Sequence, residues 1–119
     1  MANEDRRGNT LRTTPVFRKE LTQIAIPDSA AETTSTTDVN GIIGTAVVVV
    51  GDLSDASSVT LSIKDEDGYE LYSQAGIAES ATTVLSGIDV LAAGYLTIGL
   101  TPNADTNGTS TVDLVFYVV

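Results

Sequence analysis

The feature that most constrains this chain is a repeated alternation of apolar and polar residues in short segments. The segments Ser58–Ile63, Tyr95–Leu100 and Thr111–Val119 carry an apolar side chain at every second position. Successive side chains of a β-strand point to opposite faces, so this period of two predicts half-buried strands. The apolar face of the last segment consists of Val112, Leu114, Phe116 and Val118.

Two further strands are predicted from apolar runs. Leu21–Ile26 is a short run closed by Pro27, which lacks the N–H that a strand ladder needs. Gly41–Val50 ends in four consecutive valines, which are stiff at χ1 and favour strands over helices. Because this second run does not alternate, it predicts a strand that is buried on both faces.

The remaining segments predict turns and weaker strands. The pair Asp67–Gly68 predicts a hairpin turn, and Tyr69–Gln74 is its returning strand. The mixture of Ser, Thr, Ala and Asp in residues 28–40 predicts a long polar loop. Ala81–Leu85 predicts a weak strand, and residues 86–93 predict a short helical turn or a loop.

These segments amount to roughly seven short strands, with no amphipathic helix, which is the pattern of all-β domains. We therefore predict an antiparallel β-sandwich or a jelly-roll-like domain over residues 21–119. A chain of 119 residues suits a single domain with its own core. Residues 1–20 show no sustained period of either kind and predict an extended basic N-terminal arm.

The charge is divided unevenly between this arm and the rest of the chain. The net charge is −10, yet five of the six basic residues lie in the first 19 positions: Arg6, Arg7, Arg12, Arg18 and Lys19. Such arms contact acidic partners or nucleic acid, or remain solvated tails. Leu11, Pro15, Val16 and Phe17 lie among the charges and favour an arm that becomes ordered on a partner. The acidic body lacks the clustered cations that nucleic-acid binding requires.

Neither a membrane span nor a signal peptide is predicted. The longest apolar stretch, Ala46–Val50, is far shorter than the ~20 residues that a membrane helix needs. The N-terminus is polar through Thr10 and has no apolar segment of the kind that signal peptides contain. We expect a soluble protein that was not processed at its N-terminus.

The last predicted strand is apolar on its second face as well, at Val115, Tyr117 and Val119. An apolar strand left open at a sheet edge is an aggregation hazard, so this face needs a cover. We expect a second subunit to cover it. The alternatives are a neighbouring loop, or a central position for this strand inside one chain.

Most catalytic chemistry is excluded by missing residue types. The chain has no His, no Cys and no Trp, which rules out Ser-His-Asp and Cys-His mechanisms and histidine or thiolate metal sites. The carboxylates Asp65, Glu66 and Asp67 cluster at one turn, where they match only a fragment of a calcium loop and are best interpreted as a solvated hairpin tip. We predict no catalytic residues, no metal and no cofactor.

The stretch Val59–Ala78, VTLSIKDEDGYELYSQAGIA, resembles head decoration, or cement, proteins of tailed bacteriophages. The similar features are a T-L-S-I strand, a D-x-D-G-Y turn, a second Tyr and an A-G-I segment, together with the closing strand LVFYVV. These hairpin motifs cover about half of the chain.

The resemblance implies a virion structural protein, made in the host cytoplasm, that binds the outer surface of the major capsid shell. Its partners would be the major capsid protein and two further copies of itself, in a homotrimer that stabilises the capsid. It implies that the arm residues contact the capsid: Arg6, Arg7, Arg12, Val16, Phe17, Arg18 and Lys19. It brings no catalytic residues with it.

Two other functions remain open at this stage. A head-fibre or tail-associated domain that binds a receptor or glycan would present exposed aromatic side chains, for which Tyr69, Tyr72 and Tyr95 are the candidates. An enzyme could only be a carboxylate hydrolase, which needs two acids that face each other across a cleft.

Overall fold

The computed structural model describes residues 16–119, and this part of the chain consists of strands and the loops between them. The strands are β1 (Phe17–Ile26), β2 (Thr33–Val50), β3 (Ser58–Lys64), β4 (Glu70–Ala78), β5 (Ala81–Pro102) and β6 (Ser110–Val118). They form one antiparallel sheet in the order β1-β6-β2-β5-β3-β4. The predicted all-β antiparallel class is confirmed. Among these residues there is no helix of the length and apolarity that crossing a membrane requires.

The long strands β2 and β5 each contribute to two halves of this sheet. Residues 33–43 of β2 pair with residues 90–100 of β5, and residues 45–50 pair with residues 81–86. Strands β6 and β1 continue the sheet beside the second half of β2, whereas β3 and β4 continue it beside the second half of β5. The sheet therefore has two four-stranded halves. The paired strands β2 and β5 belong to both halves and form a two-stranded ribbon that runs from one half to the other.

Both ends of β2 lie at the same end of the domain, which shows that the ribbon doubles back. Ser29, in the loop before β2, accepts a hydrogen bond from the Thr106 N–H at 3.4 Å through its carbonyl oxygen. Asp55, in the loop after β2, donates its N–H to the carbonyl oxygen of the same Thr106 at 3.2 Å. The two halves of the sheet consequently face each other, and the domain is a β-sandwich made from one folded sheet.

The turn of the ribbon lies where the pairing changes register. In β2 the register shifts between Ile43 and Thr45, and in β5 the partners jump from Ser86 to Val90. Within that interval Gly87 has φ +67° and Asp89 has φ +56°. Extra residues with left-handed backbone form β-bulges, which bend a strand sharply.

The core consists of the inward-facing side chains of both halves. Val112, Leu114 and Phe116 of β6 are fully buried, which confirms the apolar face predicted for the last strand. Val59, Leu61 and Ile63 are fully buried on β3. Burial of one such side chain contributes about 1.5–3 kcal/mol relative to exposure. Alternation in the sequence thus identified the strands that supply the core.

Three predictions about individual segments are wrong. The polar loop predicted over residues 28–40 becomes strand from Thr33 onward, because its β-branched threonines pair with β5. The segment 86–93, predicted as a helical turn or a loop, lies within β5. The run Gly41–Val50 is not buried on both faces: its residues alternate, and the side chains of Ile42 and Val49 are exposed.

Strand β1 starts at Phe17 rather than at Leu21. Phe17 lies opposite Val118, and Glu20 lies opposite Val115, so the last part of the predicted arm extends the ladder with β6. Residues 1–15 of the arm lie outside the described residues.

Candidate functional site

The predicted arm residues that the structure describes gather at the start of β1. Val16 and Phe17 are both exposed, and the Phe17 side chain retains 64% of its accessible surface. Arg18 forms a salt bridge with Glu20. Arg6, Arg7 and Arg12 lie outside the described residues. The described part of the predicted contact segment is therefore a strand end with an exposed aromatic ring.

A small cleft of about 110 Å³ separates this strand end from β2. Phe17, Arg18 and Lys19 line one wall, and Asp38 and Asn40 lie on the other. Strand β6, which separates β1 from β2 further along, ends here, so the cleft marks the place where the sheet loses its central strand. The arm therefore enters the domain beside the first half of β2.

The predicted subunit-interface residues lie at the outer face of β6 and at its end. Val115 and Tyr117 alternate with the core residues and are half-buried, while Val119 is exposed. The backbone of Val119 exchanges two hydrogen bonds with Ile42, at 2.8 and 2.9 Å. Strand β6 lies between β1 and β2 in the sheet, and the outer-face side chains of Val115 and Tyr117 keep part of their surface accessible.

Register extends this apolar surface across the neighbouring strands. Val115 lies opposite Val47, and Val47 lies opposite Val84. Residues directly opposite in an antiparallel ladder point to the same side, so these valines share the outer face with Val49. Val84 keeps 63% of its surface exposed. We call this set the outer valine face: Val47, Val49, Val84, Val115 and Tyr117.

Sequence reasoning identified only the β6 part of the outer valine face. Val47 and Val49 lie in the run that was interpreted as buried on both faces, and Val84 lies in the weak strand. The available signal was the length of the run: four valines in a half-buried strand must place two on the outside.

A second concave surface lies at the opposite end of the domain from Thr106. It has a volume of about 260 Å³ and is bordered by the β3–β4 turn and by β5. Its apolar wall contains Leu71, Leu91 and Tyr95, and Leu91 keeps 74% of its surface exposed. Its rim carries the acidic side chains of the predicted hairpin tip, Asp65, Glu66 and Asp67. We call this surface the acidic groove.

Backbone hydrogen bonds fix the shape of the acidic rim. The carboxylate of Asp65 accepts the N–H groups of Asp67 at 3.0 Å and Tyr69 at 2.9 Å. The carboxylate of Glu66 accepts the Tyr95 N–H at 3.3 Å, which attaches the turn to β5. Gly68 has φ +86°, as the Asp67–Gly68 turn requires. The rim is therefore a defined turn, and its Asp67 side chain is free of these contacts.

The three candidate tyrosines have different positions. Tyr69 and Tyr95 are exposed, with 70% and 60% of their surfaces accessible. Tyr72 is partly buried and packs against the core. Two of the three aromatic rings are therefore available for contact, and only Tyr95 lines the acidic groove.

A pair of acids occupies the loop end of the sandwich. A side-chain hydrogen bond with Asp105, followed by partial desolvation and by the nearby negative charge, raises the pKa of Asp28 above its ordinary value. The backbone of Asn107 acts in the opposite direction. Neither acid lines the cleft or the acidic groove, so this pair lies apart from both candidate surfaces. No group of three metal-binding side chains is present within residues 16–119.

Comparison with known proteins finds solved structures with a similar fold. No protein-family model matches the chain. A search of curated proteins finds no match. The SPBc2 prophage-derived protein YomS has a similar structure, with a TM-score of 0.56 and 12% identity over 91% of this chain and 99% of that one.

Two weaker structural similarities involve proteins of other kinds. The infectious bursal disease virus structure gives a TM-score of 0.47 with 9% identity, over 88% of this chain and 32% of the viral one. The carbohydrate-binding module CBM36, in complex with calcium and xylotriose, gives 0.45 with 18% identity, over 91% of this chain and 92% of the module. Of these three structures, YomS is the one with a TM-score above 0.5, which indicates a similar fold.

Proposed function

We propose that this protein is a structural protein of a bacteriophage particle, which binds the outer surface of the major capsid shell and stabilises it as a homotrimer. In this proposal it has no enzymatic role and requires no cofactor. The observation that carries the proposal is the outer valine face, because it is an apolar surface that lies outside the core of the domain.

The outer valine face suits contact between copies of this chain. Its central row consists of Val115, Val47 and Val84 on three neighbouring strands, flanked on β1 by Glu20. Exposed apolar patches with a polar border mark interaction surfaces. Burial of such a surface in a trimer removes apolar area from water and supports assembly.

The start of β1 suits contact with a larger partner. The exposed Phe17 ring follows a segment that contains Arg6, Arg7 and Arg12. Exposed ion pairs contribute only about 0.2–1 kcal/mol each, so burial of Phe17 and simultaneous binding by three arms would supply most of the affinity. An acidic capsid surface with an apolar pocket is the expected partner.

The sequence resemblance of one segment and the similarity of the fold to a known structure both support this proposal. The segment Val59–Ala78 resembles phage decoration proteins and forms the β3–β4 hairpin. The fold is similar to that of a protein derived from a prophage.

The test is binding to capsids of the parent phage that lack this protein. Purified protein should co-sediment with the capsids and raise the temperature at which they disassemble. Residues 16–119 alone should bind at least about tenfold more weakly, since they lack three arginines but keep β1 intact. Equal binding by the truncated chain would refute the role of the arm, and absence of binding by the full chain would refute the proposal.

A glycan-binding role is the second candidate, favoured by the exposed Tyr69 and Tyr95. Aromatic rings can stack on sugar faces, and carboxylates beside them can accept hydrogen bonds from sugar hydroxyl groups. A glycan array would reveal binding that Tyr95→Ala abolishes and that Tyr72→Phe, at a partly buried ring, leaves intact. An array without hits, beside clear capsid binding, would exclude this candidate.

A further inference from the structure

The acidic groove combines an apolar wall and a charged rim with no place in the proposed capsid contact. Leu91 and Tyr95 are among the most exposed large side chains of the described residues, and both line the groove. Exposed apolar side chains in a concave surface are typical of a docking site. The fixed turn beside them places three carboxylates at the rim.

The charge of the groove indicates which segment of the chain fits it. Within residues 20–119, Lys64 is the one basic residue, whereas the first 19 residues hold Arg6, Arg7, Arg12, Arg18 and Lys19. No cation among residues 16–119 forms a salt bridge with Asp65, Glu66 or Asp67. The basic N-terminal segment is therefore the part of this chain that complements the rim, and Leu11 beside Arg12 complements the apolar wall.

The distance is short enough for the segment to reach the groove of its own chain. Phe17 lies in the cleft beside Asn40, and Asn40 pairs with Ala93, which lines the groove. Through the ladder, Phe17 pairs with Val118, Val118 with Ile43, and Ile43 with Val90, which precedes Leu91. Three strand spacings, or about 14 Å, therefore separate Phe17 from β5 beside the groove. The five residues from Arg12 to Phe17 span about 16 Å when extended. The backbone of Arg12 can thus reach the β5 wall of the groove while Phe17 remains in β1, and a long arginine side chain can extend from there to the rim.

We propose that the segment Leu11–Pro15 docks in the acidic groove of its own chain, with Leu11 against Leu91 and Arg12 beside Asp67. In the free protein this contact covers the exposed apolar wall and holds the arm near the body. An acidic partner surface then competes with the rim for the same arginines. The proposal does not depend on the proposed function, because it concerns the chain in solution without a capsid.

Disulfide trapping tests the proposal, and the absence of native cysteines makes the result specific. Leu11→Cys is combined either with Leu91→Cys or, as the control, with Thr36→Cys. Thr36 is exposed on the first half of β2 and belongs to neither the acidic groove nor the outer valine face. Under mild oxidation the Leu91 pair should form a disulfide within one chain on the order of tenfold faster or more, because docking raises the effective concentration.

The outcomes are separated by the mass of the product. Equal rates of intrachain disulfide formation for the two pairs would overturn the proposal. A disulfide that joins two chains, at a rate that rises with protein concentration, would also overturn it by assigning the groove to the arm of another copy. Failure of capsid binding alone would leave these rates unchanged, so the two proposals fail separately.

A charge exchange tests the role of the rim. Arg12→Glu added to the Leu91 pair should slow the intrachain disulfide, and a further Asp67→Arg should restore the rate. The backbone of Asp67, not its side chain, makes the hydrogen bond within the turn, so this substitution leaves the turn intact. Asp52→Arg, which makes the same change of charge in the loop after β2, should not restore the rate. If both variants restored the rate of disulfide formation, net charge alone would explain the effect, and the contact between Arg12 and Asp67 would be refuted.

Discussion

The hydroxyl oxygen of Thr106 lies 3.0 Å from the carbonyl oxygen of Pro27, and this contact connects the end of β1 to the loop between β5 and β6. The same oxygen accepts the Ser29 N–H at 3.3 Å and lies 2.7 Å from the carbonyl oxygen of Gly108. Thr106 is 1% exposed. One buried hydroxyl therefore forms hydrogen bonds with the backbone of two loops, β1–β2 and β5–β6, which lie at the same end of the sandwich.

Thr106→Val should destabilise the protein by about 1–3 kcal/mol, because it keeps the shape of the side chain but leaves the partly buried Ser29 N–H group without its acceptor. Chemical denaturation followed by fluorescence or circular dichroism measures this change. Thr34→Val, at an exposed strand position, is the matched control and should change stability by less than about 0.5 kcal/mol. Equal effects at the two positions would contradict the role assigned to the hydroxyl.

The strands that supply the core could be predicted from the sequence, whereas the folded ribbon could not. Alternation in Ser58–Ile63 and Thr111–Val119 reports directly which side chains are buried. The threonine-rich start of β2 has the composition of a loop, and only its pairing with residues 90–100 makes it a strand. That pairing is a tertiary contact between distant segments, which local propensity does not encode.

Three glycines near the turn of the ribbon should respond differently to alanine. Gly41 has φ +137°, and a Cβ there would lie 2.5 Å from the Val119 carbonyl oxygen. Gly87 has φ +67° but has open space around it, and Gly44 has open space without a left-handed backbone. Gly41→Ala should therefore cost the most, Gly87→Ala should cost about 1–2 kcal/mol, and Gly44→Ala should be neutral or stabilising by up to about 1 kcal/mol.

The measurement is the free energy of unfolding of the three alanine variants under one set of conditions. Gly44→Ala serves as the internal control because it adds the same methyl group without backbone strain. A loss of stability at Gly44 as large as that at Gly87 would mean that the turn itself, rather than the positive φ, requires glycine.

The candidate surfaces were only partly visible in the sequence, and the physical reason is strand register. Val115 and Tyr117 could be assigned to one outer face because they alternate within a single strand. Val47 and Val84 join that face only through their partners in the ladder. The acidic groove likewise needs the hairpin tip to lie against β5, a contact made through Glu66 and Tyr95.

The acid pair at the loop end should make stability depend on pH. Because the pKa of Asp28 is raised in the folded protein, the folded state holds this proton more tightly than the unfolded state does. The stabilisation is fully present below the unfolded pKa of about 3.9 and is lost as the pH rises through the folded pKa. Asp105→Asn should lower the pKa of Asp28 and weaken this dependence.

Carbon-detected NMR titration of the Asp28 carboxyl group in the two proteins measures the change. Asparagine at position 105 keeps an oxygen that can accept the Asn107 N–H, as Asp105 does at 2.9 Å, so the loop should stay intact. Asp52→Asn, in the loop after β2, is the control and should leave the titration of Asp28 unchanged. An Asp28 pKa that is the same with and without Asp105 would refute the assigned cause.

The outer valine face should determine self-association. Val84→Glu places a charge at an exposed position in line with Val47 and Val115, so a charge buried between subunits would oppose assembly. We expect analytical ultracentrifugation to show a trimer for the native chain and at least about a tenfold weaker association for Val84→Glu, which corresponds to about 1.4 kcal/mol. Stability of the monomer should change by less than about 0.5 kcal/mol, because the side chain is on the surface. Leu91→Glu makes the same kind of change in the acidic groove and should leave the trimer intact. A trimer that survives Val84→Glu but dissociates with Leu91→Glu would move the subunit interface from the outer valine face to the groove.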